Sequence, residues 1–134
     1  MRRGVPEESQ ATLIPAGWDD TWWAAVLDSD PAGATHDPPV VRAPNGVLHD
    51  IRSNWLSGKA MYNPEKITAP TLVVVGEWDQ DTPPEMAQAL LPLLAATERR
   101  LVVMPEGTHM LMLERNRMSL LGEMQDFFEQ DAAD

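Results

Sequence analysis

The sequence predicts an α/β fold: two parallel strands joined by a crossover helix and followed by a terminal helix, all preceded by a helical segment. Two short runs rich in Val and Leu, at 71–75 and 101–104, are the candidate strands, because they are too short to be buried helices. A helical pattern of apolar residues lies between the runs, and another follows the second run. Since a strand–helix–strand unit of this length is almost always parallel and right-handed, we expect the two strands to be parallel.

Length and composition describe an acidic globular chain. Its 134 residues include 10 basic and 21 acidic side chains, which gives a formal net charge of −11. A negative field of this size disfavours phosphate backbones and anionic lipids, so we expect neither a nucleic-acid nor a membrane partner. The absence of cysteine excludes disulfides and thiolate metal sites. No apolar run has the ~18 residues that span a bilayer, and the start of the chain lacks a secretion signal, so a cytoplasmic location is expected.

The first half of the chain, residues 1–66, is rich in Pro and Trp and predicts two helices. Asp19 or Asp20 is expected to begin the first helix by accepting from free backbone N–H groups, and Gly58 is expected to end the second. The predicted helices run from about 19 to 30 and from 45 to 58, with a loop from 32 to 44. The residues predicted to face inward are Trp22, Trp23, Val26 and Leu27 in the first helix, and Val47, Leu48, Ile51 and Trp55 in the second.

The second half alternates between strand and helix. The run 71–75 follows Pro70 and predicts a strand buried on both faces. Thr82 is expected to cap the crossover helix, with Pro83 and Pro84 at its first positions, and the last helix is expected from about 116 to 130. The apolar faces are predicted at Met86, Leu90, Leu91 and Leu94, and at Met118, Leu121, Met124, Phe127 and Phe128. Because parallel sheets usually have four or more strands, the chain reads as the last piece of a larger α/β domain.

Two residues that could carry chemistry, Asp79 and His109, follow the two predicted strands by a few residues each. Reactive groups gather beyond the carboxyl ends of parallel strands, and neighbouring strands are ~4.8 Å apart, so the two side chains are expected to meet. The carboxylate would orient the imidazole, whose second nitrogen would face a nucleophile or water. Two alternatives remain: an unrelated surface pair, and a metal site formed with Asp81, although no second His is spaced to complete it.

The segments 67–84 (ITAPTLVVVGEWDQDTPP) and 107–114 (GTHMLMLE) resemble the acid and histidine segments of α/β-hydrolase fold proteins. In that family the acid follows the pattern G-x-x-D-x-x-x-P, which Gly76, Asp79 and Pro83 match. The resemblance implies that Asp79 is the triad acid and His109 the general base, in the family's order of acid before histidine. Asp81 does not fit the spacing and is the lesser candidate. Hydrolysis of an ester-like, amide or C–C bond, without a cofactor or metal, is the implied activity.

Residues 1–66 resemble the end of a lid, or cap, of a capped subgroup of that family, through the stretches 41–46 (VRAPNG) and 62–64 (YNP). The implied organisation is a helical cap/lid segment at 1–66 and the C-terminal β-α-β-α part of the hydrolase core at 67–134. Trp78, beside the acid, and Met110, beside the histidine, are expected to line the pocket for a small apolar ester-like substrate. The other four tryptophans are expected to pack lid helices against each other.

The nucleophile is the missing member of the triad. No G-x-S-x-G occurs in the 134 residues, and none of the five serines is predicted in a strand-to-helix turn. The leading hypothesis is therefore a C-terminal fragment of a serine-type α/β-hydrolase, weakly active or inactive alone, within a homo-oligomer or beside a complementing chain. The alternative is a non-catalytic interaction module, or a truncated product, that docks through an open sheet edge.

Overall fold

The structure, a computed structural model, describes residues 3–59 and 61–130. The chain forms two compact units: the first unit comprises Met1–Ala16 and Pro64–Asp134, and the second unit comprises Gly17–Asn63. Predictions made from the sequence for residues 1, 2, 60 and 131–134 lie outside the described residues. The first sixteen residues, which the sequence places in the lid, thus belong to the unit that contains both strands.

The described residues form two strands and six α-helices. In chain order the elements are α1 (Glu7–Gln10), α2 (Trp18–Asp28), α3 (Pro31–Ala34), α4 (Gly46–Ser53), β1 (Thr71–Gly76), α5 (Pro84–Leu90), β2 (Arg99–Met104) and α6 (Arg117–Gln130). Short 3₁₀ turns occupy Trp55–Ser57, Pro64–Lys66, Leu91–Leu93 and Leu111–Leu113. None of the helices in these described stretches combines the length and the apolarity needed to cross a membrane.

The sheet confirms the predicted parallel pairing. β1 and β2 are in register from Thr71 opposite Arg99 to Gly76 opposite Met104. Burial of β1 is less complete than predicted, because only Val75 and Gly76 are buried and the first four residues are half-buried. In the described residues each strand has a single neighbouring strand.

The face of the terminal helix α6 that packs against the sheet overlaps the predicted face only in part. Phe127 is buried as predicted, and Met124 packs against the cluster that contains Leu120, a buried residue that was not predicted. Met118 is 63% exposed and Phe128 is 66% exposed. The helix carries two apolar stripes, both at helical spacing. The sequence pattern does not show which stripe is buried. Contact with the sheet decides it, because Leu120 joins a buried cluster with Met104 and Leu111.

The crossover helix α5 begins one residue later than predicted. Pro83 occupies the cap position and Pro84 the first helical position, while the Thr82 side chain bonds to Asp79 instead of capping the helix. The predicted apolar face is also partly wrong, because Met86 is 57% exposed and Ala87 is the buried residue of the helix. Leu94, which follows the helix, is buried as predicted.

The amino-terminal segment packs into the first unit through two buried side chains. Leu13 is completely buried and Val5 nearly so, and the backbone N–H of Arg115 donates to the Leu13 carbonyl over 2.9 Å. The sequence did not predict this packing, because residues 3–16 contain only the four-residue helix α1 and show no extended period. The contact partners are about a hundred positions away in the chain.

The second unit contains the two helices predicted for the first half, with different caps. Gly17, in a left-handed conformation, precedes α2, and neither Asp19 nor Asp20 caps it by a side-chain hydrogen bond. The short helix α3 forms where a loop was predicted, because the Asp30 side chain accepts from the Gly33 N–H and Pro31 occupies the first helical position. The second predicted helix is shorter than expected, because α4 ends at Ser53, and Gly58, with a φ of +71°, ends the separate 3₁₀ turn Trp55–Ser57 that follows.

The inward face predicted for α4 is wrong. Val47, Leu48 and Trp55 are 68%, 55% and 61% exposed, and no residue of α4 is buried. The unit has few elements against which α4 can bury an apolar stripe, so the helical period does not produce a core here. The tryptophans of α2 contact each other, since the Trp22 and Trp23 rings lie edge to face with centroids 4.9 Å apart.

Candidate active site

The loops that follow β1 and β2 are tied together by their backbones. The N–H of Glu77 donates to the Met104 carbonyl over 2.9 Å, and the N–H of Trp78 donates to the Gly107 carbonyl over 2.8 Å. Gly76 permits this approach, because a Cβ at that position would overlap the carbonyl oxygen of Gly107. The contact between the two segments therefore continues past the strands and brings the two loops, which carry Asp79 and His109, side by side.

Asp79 is buried and its carboxylate is saturated with donors. Oδ1 accepts from the backbone N–H groups of Asp81, at 2.8 Å, and Thr82, at 2.9 Å. Oδ2 accepts from the Thr82 hydroxyl at 2.9 Å and lies 2.9 Å from Nδ1 of His109. The side chain thus organises its own loop and at the same time fixes the imidazole, in the manner of an aspartate at a turn.

The electrostatics keep this carboxylate ionised. Burial by itself raises the pKa of Asp79, but the hydrogen bonds from the Thr82 N–H, His109, the Thr82 hydroxyl and the Asp81 N–H together lower the pKa below its ordinary value of 3.8. All four donors favour the charged form of the acid. Asp79 therefore presents a full negative charge to the imidazole at neutral pH.

A pH-dependent contribution to stability follows from this lowered pKa. A carboxylate whose folded-state pKa lies below its unfolded value stabilises the protein above the unfolded pKa and loses that effect as the pH falls through the folded pKa. We therefore expect the unfolding free energy of wild type to fall more than that of Asp79→Asn between pH 5 and about pH 2. Urea titrations at several pH values measure the difference, with Asp81→Asn, which removes an exposed carboxylate of the same loop, as the matched control. If the unfolding free energies of wild type and Asp79→Asn changed in parallel with pH, the prediction would be contradicted.

His109 lies in the loop after β2 with its side chain 52% exposed. Since Nδ1 faces the Asp79 carboxylate, we assign the proton of the neutral ring to Nδ1, which leaves a lone pair on Nε2. The buried acid and the half-exposed imidazole are thus arranged as orienting group and base. Both residues that the sequence singled out for catalysis meet, as the strand order predicts.

Thr108 and Glu114 position the His109 loop, and the sequence argument gave them no role. Glu114 is completely buried, and its carboxylate accepts from the Thr108 backbone N–H at 2.9 Å and from the Thr108 hydroxyl. The same hydroxyl oxygen accepts from the N–H of Met110 at 3.2 Å, on the other side of the histidine. A carboxylate directly after the apolar run 110–113 is the only local signal that could have indicated this buried acid.

A cavity of about 290 Å³ opens beside the imidazole. Trp78 and Met110, the two residues predicted to line a substrate pocket, lie in its wall with His109. Arg3, from the amino-terminal segment, lines it as well and could not be placed from the sequence. The cavity therefore combines an imidazole, apolar surface and one guanidinium.

The donor set fits an acid–imidazole pair better than a metal centre. Ligand atoms of Asp79, Asp81 and His109 do lie within 4.8 Å of one another. Both oxygens of Asp79, however, already accept N–H or O–H donors, and Nδ1 of His109 bonds to that carboxylate. A cation would have to displace these bonds. Asp81 supports Asp79 through its backbone N–H, and its own side chain is exposed.

Two hydroxyl groups lie near histidine rings, and neither is placed as the nucleophile for His109. The Thr82 hydroxyl is 3.3 Å from His109 but on the Nδ1 side, where it donates to Asp79. Ser53 lies 3.5 Å from Nε2 of His49 on the exposed surface of α4, at the outer limit of a hydrogen bond. In residues 3–59 and 61–130, no serine hydroxyl is hydrogen-bonded to His109.

Comparison with known proteins adds no assignment. No protein-family model matches the chain, and a search of the curated proteins finds no match. The geometry of Asp79 and His109 and the cavity beside them therefore carries the functional argument.

Proposed function

We propose that this chain supplies the acid and the general base of a serine-type α/β-fold hydrolase that cleaves an ester-like, amide or C–C bond. One observation carries the proposal: Oδ2 of buried Asp79 lies 2.9 Å from Nδ1 of His109, whose half-exposed ring lines a cavity. In this proposal the nucleophilic hydroxyl comes from outside these 134 residues.

The proposed chemistry begins at Nε2 of His109. This nitrogen accepts the proton of the attacking hydroxyl as the hydroxyl oxygen bonds to the substrate carbonyl carbon. Ionised Asp79 stabilises the imidazolium that forms, and the imidazolium then gives its proton to the leaving group. In the second half, the same nitrogen removes a proton from water, which cleaves the acyl intermediate.

Three features of the described residues support this assignment of roles. The acid and the base follow adjacent parallel strands, so they meet at the carboxyl edge of the sheet, where active sites of α/β folds gather. The acid is buried while the base is partly exposed, which suits an orienting group and a group that meets substrate. Apolar surface from Trp78 and Met110 borders the base, as an apolar substrate requires.

The test supplies the hydroxyl as a small alcohol. Purified chain is incubated with 4-nitrophenyl acetate, with and without methanol, and release of 4-nitrophenolate is followed. If Nε2 of His109 acts as a general base, methanol should increase the rate in wild type about two- to fivefold more than in His109→Ala or Asp79→Asn. The effect is expected to be small, because a freely diffusing alcohol lacks the positioning of an enzyme nucleophile.

His36→Ala is the matched control, because it removes an exposed imidazole of the second unit. It should retain the full methanol effect. An equal methanol effect in wild type and His109→Ala would overturn the general-base role. Efficient turnover without methanol that disappears in His109→Ala would instead place the nucleophile within the 134 residues and overturn that part of the proposal.

A second candidate function is favoured by the sheet itself. Among the described residues β1 pairs only with β2, so β1 presents one edge of backbone N–H and carbonyl groups to further pairing. An interaction module that adds a partner strand at this edge would use Asp79 and His109 structurally. A loss of stability in His109→Ala, which removes the hydrogen bond to Asp79, together with a null methanol result would favour this candidate.

A further inference from the structure

The cavity beside His109 is lined by a positively charged side chain, Arg3, which belongs to the amino-terminal segment. Arg3 lines the cavity, and its Nη2 donates to the backbone carbonyl of Gln80 over 3.2 Å. Among the described residues this is the only hydrogen bond of the guanidinium. A guanidinium has five N–H donors in a planar fork, so most of them remain for a ligand.

Close packing, buried side chains and a hydrogen bond hold the segment that carries Arg3. Gly4 adopts a φ of +81° and packs so closely on Gln80 that a Cβ would lie 2.7 Å from the Gln80 side chain. Beyond it Val5 is buried, and Leu13 is completely buried. Farther along, the Arg115 guanidinium bonds to Thr12 at 2.9 Å and to Glu106, in the loop before His109, at 2.7 Å. Arg3 is therefore placed by packing at the edge of the site.

We propose that Arg3 makes this cavity selective for ligands that carry a carboxylate on an apolar body. The inference rests on the proposed function, because it names the substrate class of the His109 site. A guanidinium recognises a carboxylate through two parallel N–H donors, and Trp78 and Met110 offer surface to the apolar part. The carboxylate would remain on the substrate, apart from the bond that is cleaved.

The negative charge around the site limits how much negative charge a ligand can carry. Asp81 also lines the cavity, and the chain has a formal net charge of −11. One guanidinium can offset one carboxylate, whereas a dianionic phosphate would meet repulsion from Asp81 and from the overall field. We therefore identify the ligand chemistry as a monocarboxylate.

Benzoate and benzamide provide a matched pair of probes, equal in size and different in charge. Binding is followed by NMR of the His109 ring in protein labelled at histidine, at constant pH and low salt, with His109→Ala to assign the signal. Wild type should bind benzoate about three- to fivefold more tightly than benzamide, the size expected for one exposed ion pair. Arg3→Gln should bring the ratio to about one, and Arg3→Lys should restore part of it.

Arg52→Gln is the control, because Arg52 is an exposed arginine of the second unit and its loss changes the net charge equally. It should keep the wild-type ratio. Equal binding of benzoate and benzamide in wild type, or equal losses in Arg3→Gln and Arg52→Gln, would overturn the inference. Because no bond is cleaved in this experiment, selective benzoate binding with a null methanol result would leave the carboxylate site standing while the hydrolase proposal fails.

Discussion

Replacing Glu114 with alanine is expected to destabilise the first unit by about 2–4 kcal/mol, because the buried N–H and hydroxyl of Thr108 lose their acceptor. The carboxylate is completely buried, so water cannot take its place without opening the loop. Thr108 also accepts from the Met110 N–H, so the loss should extend to the backbone on both sides of His109. We expect the His109 loop to lose its single orientation toward Asp79.

Amide hydrogen exchange distinguishes the destabilisation of the first unit from the loss of order in the His109 loop. Exchange of the β1 and β2 amides reports the unfolding free energy of the first unit, and exchange at Thr108 and Met110 reports the loop. Glu114→Gln is the matched control, because its carboxamide oxygen can still accept from the Thr108 N–H, and it should lose less stability than Glu114→Ala. Unchanged protection at Thr108 in the alanine variant would show that Glu114 does not hold the loop.

Replacing Leu13 with alanine is expected to cost about 2–5 kcal/mol of unfolding free energy in the same unit. Leu13 is completely buried, and its carbonyl accepts from Arg115, so truncation leaves a cavity in a segment that cannot easily move. The prediction also tests the domain boundary. A lid that begins at the first residue would not stabilise the sheet through Leu13.

Leu93→Ala is the control in the same unit, because Leu93 is 50% exposed and its truncation leaves no closed cavity. Hydrogen exchange of the β1 and β2 amides should show a much larger loss for Leu13→Ala than for Leu93→Ala. Equal losses would mean that the amino-terminal segment does not pack into the first unit. Binding of benzoate to Leu13→Ala should weaken too, since the same segment positions Arg3.

The predicted meeting of Asp79 and His109 agrees with the observed hydrogen bond because it follows from patterns that need little tertiary information. Short Val-rich runs indicate strands, a connecting helix makes them parallel, and a parallel pair places the following residues at one edge. Asp79 and His109 had to lie near each other once that pairing was correct. Their hydrogen bond, at 2.9 Å, adds the orientation that a sequence pattern cannot provide.

The helix faces that were predicted incorrectly have one cause in common. The apolar periods of α4 and α6 correctly indicated helices, yet the face predicted to be buried was wrong in α4 and only partly correct in α6. A helical period states that a stripe exists, whereas burial depends on whether another element lies against that stripe. In α6 the predicted Phe127 is buried together with Leu120, whereas Met118 and Phe128 stay exposed, and α4 has little to cover it.

By itself, the sequence determined the two strands, their direction, and the shared edge at which an acid and a histidine emerge, because each of these follows from patterns within a few residues. Only the tertiary structure decided how Asp79 stays ionised, which buried acid holds the His109 loop, and that Arg3 reaches the cavity. Glu114 and Arg3 act through partners that no local pattern identifies, and Arg3 donates to Gln80, which lies 77 positions away in the chain. Such contacts exist only after folding, since the energy of a buried hydrogen bond or a packed side chain depends on neighbours that are distant in sequence.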